Sequence, residues 1–430
     1  MLITTDNNLG NLVISEEDRN YLWPLANINI ATLLSEHDLL VFPDSFQTSA
    51  DKIEENTIFT LSHQKLTTKN IMGYIACGDK VTLKITSRFD TGNNDNFLHY
   101  LLQKVFHLNV FNFKFPYSKE DIFDFLLFLF PYFFKRALRQ GVFKEYQYKN
   151  YNDEKVRGWF DLSQHLKHNI PFKGTVAYST REHSYDNRMV QLIRHTIEYL
   201  YHHPLGHNIL SYDTETYQSI EFIRSLTPTY HKNQRREIIN KNIKPISHPY
   251  FSEYSHLQKL CIQILNYEGV KYGEDQNEKI YGILFDGAWL WEEYLATLLE
   301  PCHFVHPENK LKQNPVYLFE KHRASCFPDF YKEDFVLDAK YKRLDKTDLP
   351  SKDDLYQLVS YMHILKANRG MFVYPMAVGV SEEQDIGSLN GYGGEMKKWG
   401  IRIPQHIDKY EDFCKQMKTQ EDKLITYLSQ

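Results

Sequence analysis

Cysteine is scarce: five residues (Cys77, Cys261, Cys302, Cys326 and Cys414) stand among 430, odd in number and never in a CxxC pair. That excludes a disulfide framework and leaves free thiols suited to a reducing compartment. The 19 histidines include no HExxH and no Cys/His zinc spacing, which removes catalytic and structural zinc. A GxxxxGK[ST] loop is also missing, so the chain does not hydrolyse a nucleoside triphosphate by that route. Long apolar runs are absent. The greasiest, Phe125 to Phe134, is interrupted by Pro131 and is about half the ~20 residues that a membrane span needs. The start, Met1 to Asp6, lacks the basic region and apolar block of a signal peptide. A soluble cytoplasmic protein with no membrane contact is expected. A formal charge of −5 excludes a generally basic nucleic-acid coat protein, so any DNA contact must come from local patches. One such patch is His231 to Arg236, continued by Lys241 and Lys244. No internal repeat is present.

What the chain does have is core material. With 42% hydrophobic and 15% aromatic residues, it can fill two or three domains. The expected class is α+β or α/β multidomain. Residues 1–110 read as a β-rich N-terminal domain for partner docking. In it, the alternation from Lys80 to Ile85 predicts a strand pairing with Ile71 to Cys77 across a Gly78-Asp79 hairpin turn. Residues 111–245 read as a mainly helical middle domain ending in a basic linker, His231 to Lys244, set between Pro228 and Pro245. Residues 246–430 read as a mixed sheet flanked by helices: helix, three strands, helix, strand, then a closing strand and helix.

The chemistry concentrates in that last segment. Phe327-Pro328-Asp329-Phe330 precedes the apolar run Val336-Leu337-Asp338-Ala339-Lys340. In a strand, Asp338 and Lys340 share a face while Leu337 and Ala339 point to the core. Asp329 and Asp338, on neighbouring strands, could ligate Mg²⁺, which is satisfied by one or two carboxylates, waters and a substrate phosphate. Pro328, lacking an N–H, favours an edge or bulge for the Asp329 strand. Lys340 would activate water or offset charge on phosphorus. Solvated side chains on an exposed strand would give the same pattern. Upstream, Glu292 shares a helix face with Ala288, Leu295 and Leu299, as a metal ligand or as half of a buried ion pair; Glu293 falls on a more polar face. Downstream, Gln357 and Tyr361 lie four apart on a helix from Lys352 to Lys366, facing one cleft or lying on an ordinary helix surface.

Taken together, Glu292, Pro328-Asp329, Asp338-Ala339-Lys340-Tyr341-Lys342 and Gln357-x-x-x-Tyr361 resemble the motif set of PD-(D/E)xK nucleases in the RecB-like branch. Within that superfamily the chain resembles the McrC family, nuclease subunits of McrBC-type and LlaJI-type restriction systems. Val156 to Asp161, Tyr185 to Met189 and Leu290-Trp291-Glu292 are similar too, so the resemblance runs from about residue 70 to 375. It implies Asp329, Asp338 and Lys340 as catalytic residues and Glu292, Asp329 and Asp338 as Mg²⁺ ligands, with Mn²⁺ substituting. Gln357, Tyr361 and Lys342 would support the site near double-stranded DNA. The implied partner is a McrB-like AAA+ GTPase motor whose hydrolysis the chain stimulates. Two other readings stay open: a self-sufficient restriction or repair nuclease, and a non-catalytic activator of an AAA+ ring.

Overall fold

The computed structural model describes residues 1–10, 12–30, 32–33, 38–43, 57–77, 81–90, 95–106, 119–211, 213–271, 280–307, 315–346, 349–377, 381–391 and 393–429. Contacts divide the chain into two compact units: Met1–Ile122 together with Asp275–Gln430, and Phe123–Glu274. This differs from the three consecutive segments expected, because the chain leaves the first unit and later re-enters it.

The first unit begins with β1 (Leu2–Thr5), β2 (Leu12–Val13), β3 (Asp38–Phe42), β4 (Phe59–Ser62), β5 (Lys65–Thr68), β6 (Ile71–Cys77) and β7 (Val81–Thr86). β2, β5 and β4 form a small antiparallel sheet. β6 and β7 pair antiparallel as their alternation predicts, with Tyr74 opposite Lys84; the Gly78-Asp79 turn lies outside the described residues. Ile75, Leu83 and Ile85 of this sheet pack with Leu22, Leu25 and Phe59 in one core cluster.

The second unit holds the greasy Phe125 to Phe134 run inside the helix Lys119–Arg139. Leu127, Leu129, Phe130, Phe133 and Phe134 are buried, and Gly141, with φ of +88°, follows the helix end. β8 (Glu145–Asp153), β9 (Trp159–Phe160) and β10 (Val176–Ser184) form an antiparallel sheet in the order β8-β10-β9. Asn187 caps the helix Arg188–His202 by accepting from the amides of Met189 and Val190. The segment expected to be a linker is folded instead. It forms a short 3₁₀ turn and the helix Arg235–Lys241, because Ile238 and Asn242 are buried and Gln258 donates to the Asn242 carbonyl at 2.8 Å.

Back in the first unit, β11 (Ile280–Asp286) enters the N-terminal sheet, antiparallel to β6 and parallel to β3, giving the order β1-β7-β6-β11-β3. After a hairpin of β12 (Val316–Phe319) and β13 (Arg323–Cys326) come β14 (Phe330–Lys332), β15 (Phe335–Ala339), β16 (Arg369–Met376), β17 (Glu383–Ser388) and β18 (Glu395–Arg402). The last five form a mixed sheet in the order β14-β15-β16-β18-β17. β15, β16 and β18 run parallel, and β14 and β17 are antiparallel edges. The helix Lys352–Leu365 lays Leu358, Tyr361 and Met362 against Val336 and Phe372. No helix among the described residues is long and apolar enough to cross a membrane. All five cysteines are free.

Candidate active site

Antiparallel pairing sets the two aspartates side by side. Phe330 stands opposite Leu337, so one step outward brings Asp329 opposite Asp338, with both side chains on one face. β14 is the edge strand that Pro328 favours. Asp329 Oδ2 accepts the Ala339 amide at 2.7 Å, continuing the strand pair through a side chain.

Asp338 is more enclosed than a half-open strand face would make it. It is 0% exposed, because a parallel strand inside a sheet is covered on both faces. Among the described residues, its Oδ1 has no hydrogen-bond donor. Its company is ionic: Lys340 Nζ lies 2.7 Å from Oδ2. Burial, reinforced by the neighbouring Asp329 charge, pushes Asp338 up to about 7. Burial and then the Glu292 charge raise Asp329 to about 7.

Lys340 closes the cluster. Burial disfavours its charge, but Asp338 and Asp329 outweigh burial and raise it above the ordinary lysine value. The Lys340 amide donates to Val373 O at 2.9 Å, and Nζ donates to Gln357 Oε1 at 3.1 Å. Gln357 Nε2 in turn donates to the Tyr361 hydroxyl at 3.2 Å. The four-residue spacing thus forms a relay from helix to lysine, with Tyr361 buried at its base.

Glu292 sits in the helix Gly287–Leu299, which Asp286 caps by accepting from the amides of Ala288 and Trp289. The helix is fastened to the site by Trp291, whose Nε1 donates at 3.2 Å to Val373 O, the same carbonyl that receives the Lys340 amide. Glu293 is taken by Trp289 Nε1 at 2.9 Å. Lys342 Nζ lies 2.8 Å from both oxygens of Asp354.

Two site residues were not anticipated. His306 Nδ1 lies 2.7 Å from the Asp329 carbonyl and Nε2 lies 3.9 Å from Glu292 Oε1, bridging the acid strand and the acid helix; no spacing rule marks it. Asp354 stands 3.7 Å from Lys340 as well as against Lys342. Burial opposes its charge, yet the donors Lys342 and Ser351, with Lys340 nearby, hold it below the usual carboxylate range. Its signal was Ser351-x-x-Asp354 at a helix start, where Ser351 is the cap.

Among the described residues, no three or more His, Cys, Asp or Glu side chains gather closely enough to hold a metal ion unaided. What is present suits a hard cation that keeps most of its waters: two paired carboxylates, one fully buried, with a lysine beside them.

A family profile described as "McrBC 5-methylcytosine restriction system component" matches residues 66–375, well over half the chain. No curated protein matches. Among solved structures, the chain is similar to one from the refined half-complex of a tetradecameric assembly of Thermococcus gammatolerans McrB AAA+ hexamers with bound McrC. The two are 16% identical with a TM-score of 0.51, over 99% of this chain and 100% of that one, a likeness of fold. A chain of the cryo-EM structure of the Thermococcus gammatolerans McrBC complex is 14% identical, with a TM-score of 0.33 over 70% of this chain and 88% of that one.

Proposed function

Because the chain belongs to the McrBC family of 5-methylcytosine restriction system components, we propose that it is the Mg²⁺-dependent DNA endonuclease subunit of such a system, with a PD-(D/E)xK site. The observation that carries this reading is the convergence of Asp329, Asp338, Lys340 and Gln357 at the end of one strand pair.

Asp338 and Asp329 would hold the cation, with Glu292 reaching it from the helix; Mn²⁺ would substitute. A bound divalent ion supplies Lewis acidity at a phosphoryl oxygen and lowers the pKa of a ligated water. The protein's own groups do the rest. Asp329 is braced by the Ala339 amide, which fixes its carboxylate against the strand that carries Asp338. Lys340, steered by Gln357, presents a fixed positive charge to the attacking water or to the phosphate oxygens.

The burial of Asp338 beside Asp329 favours catalysis over a scaffold role. Enclosing two neighbouring carboxylates costs stability, and a subunit that only activated a ring would have no use for them. The partner in this reading is a McrB-like AAA+ GTPase, as in the assembly of McrB hexamers with bound McrC that the fold resembles; the chain stimulates its hydrolysis, and the motor admits double-stranded DNA to the site. The test mixes wild-type, Asp338→Ala and Lys340→Ala proteins with the partner, GTP, Mg²⁺ and methylated DNA. Both variants should stimulate GTP hydrolysis as wild type does and leave the DNA uncut. Cutting at the wild-type rate by either variant would refute the site. Nucleotide-independent cutting by the wild-type chain alone would point to a self-sufficient nuclease.

A further inference from the structure

We infer that Arg88, anchored by Asp6 at the end of the first strand, is a positioning residue for Lys340. The inference rests on Lys340 being the catalytic lysine of the proposed nuclease.

Lys340 sits where the sheet gives out. β15 ends at Ala339, and the Lys340 amide to Val373 is its last rung. Beyond it the chain turns away, so the sheet alone holds Lys340 on its N-terminal side only. The C-terminal side is held by the segment that follows β7. Arg88 Nη2 donates to the Tyr341 carbonyl, and its guanidinium lies 4.6 Å from the centroid of the Tyr341 ring. The Tyr341 hydroxyl is 2.8 Å from Ser87 Oγ, and Arg343 Nη2 donates to the Arg88 carbonyl at 2.7 Å.

Arg88 is itself fixed. Its amide donates to Asp6 Oδ1 at 2.6 Å, and Nη1 donates to Asp6 Oδ2 at 2.9 Å and to Asn70 Oδ1 at 2.7 Å. Asp6 is fully buried. A planar fork that meets a carboxylate, an amide oxygen and a carbonyl in three directions is a task for guanidinium and not for a lysine ammonium.

The same cluster reaches the Glu292 helix. The Gly287 amide, at that helix's first residue, donates to the Asn70 carbonyl at 2.7 Å. A Cβ on Gly287 would stand 2.7 Å from Tyr341 Cε1, so the helix start and the Tyr341 ring are in the closest contact that glycine allows. Asn70, Arg88, Tyr341 and Gly287 form a closed circuit around the point where the Lys340 strand and the Glu292 helix meet. Asp6, which orients the circuit, lies outside the family-matched stretch of 66–375. The opening residues therefore act on the site's geometry, in addition to any docking role.

The experiment uses the full chain assembled with its McrB-like partner, GTP and Mg²⁺, and compares wild type with Arg88→Ala, Arg88→Lys, Asp6→Asn and Lys340→Ala. The readouts are kcat and KM for DNA cleavage, partner GTPase stimulation, and rescue by added methylguanidinium. Small displacements of catalytic groups cost up to about 10²-fold in rate. Arg88→Ala is accordingly expected to lose roughly 10- to 100-fold in kcat, with KM and GTPase stimulation within about twofold of wild type. Methylguanidinium should restore part of that loss, and it should restore nothing in Lys340→Ala. Arg88→Lys should stay impaired, and Asp6→Asn should show a smaller kcat loss. Wild-type kcat in Arg88→Ala overturns the inference. So does a joint loss of cleavage and GTPase stimulation without rescue, which marks a merely structural residue. Should Arg88→Ala fail to fold, Arg88→Lys and Asp6→Asn decide: wild-type kcat in both overturns the inference. If Lys340→Ala itself cuts normally, the catalytic-lysine reading fails first and takes this inference with it.

Discussion

The ammonium of Lys340 stands 2.7 Å from Oδ2 of the fully buried Asp338. Lys340 is thus the counter-charge of a buried carboxylate that has a second carboxylate beside it, and the two residues should respond in opposite ways to mutation. Asp338→Asn removes a buried charge that Asp329 repels, while Asp354 and Gln357 stay beside Lys340, and should raise the metal-free melting temperature at pH 8, by an amount equivalent to about 1 kcal/mol. Lys340→Ala strands that charge and should destabilise the protein by about 3 kcal/mol. Both should lower cleavage by about 10²-fold or more. Thermal melts showing the same sign for both variants would break the pairing argument.

Acidity should stabilise the metal-free protein. Burial raises Asp329, Asp338 and Asp95 to about 7 and Asp6 to about 6, from an ordinary 3.8. A carboxyl with a raised folded pKa binds its proton more tightly in the native state. Its stabilising contribution is complete below about pH 4 and is lost as the pH rises through 6 to 7. The melting temperature should therefore fall from pH 5.5 to pH 8, each group contributing at most about 1.4 kcal/mol per pH unit. Mg²⁺ should flatten the slope, and so should Asp338→Asn. A flat metal-free profile would contradict this.

Glu292→Gln should raise the Mg²⁺ concentration for half-maximal cleavage by about 10-fold, while the rate at saturating metal changes less. Glu292 lies close enough for its charge to add to the burial that raises Asp329, and His306 stands 3.9 Å away. A metal titration that superimposes on wild type would leave Glu292 as part of a structural ion pair.

Asp354→Ala should slow cleavage by about 10-fold. Asp354 holds Lys342 at 2.8 Å and lies 3.7 Å from Lys340, so its loss frees the Lys342 ammonium and takes a carboxylate from beside Lys340. Adding Lys342→Met to Asp354→Ala should recover part of the rate. No recovery would mean that Asp354 acts through the helix start that Ser351 caps.

The site's strand and helix were legible because their chemistry is local. A spacing of two puts Asp338 and Lys340 on one face, and a spacing of four puts Gln357 above Tyr361. Residues that join the site from afar left no such trace: Arg88 meets Tyr341 across 253 positions, and His306 is one histidine among 19. The stretch His231 to Lys244 looked like a linker because its prolines and charges are visible, whereas the burial of Asn242 depends on Gln258 sixteen residues later. β17, Glu-Gln-Asp-Ile-Gly-Ser, escaped notice since an edge strand needs no apolar alternation. The return of β11 to the N-terminal sheet leaves no local trace either, because strand order is a non-local property.

That return has a consequence for biosynthesis. β6 is the second partner of β11, yet about 200 residues separate them. At a synthesis rate of roughly 5–20 residues per second, the open flank of β6 would wait about 10 to 40 s for its neighbour to leave the ribosome. The whole Phe123–Glu274 unit emerges during that interval. Translation order thus separates the two folding problems in time: the inserted unit can finish while the N-terminal sheet is incomplete, and the Asp329, Asp338 and Lys340 cluster assembles last.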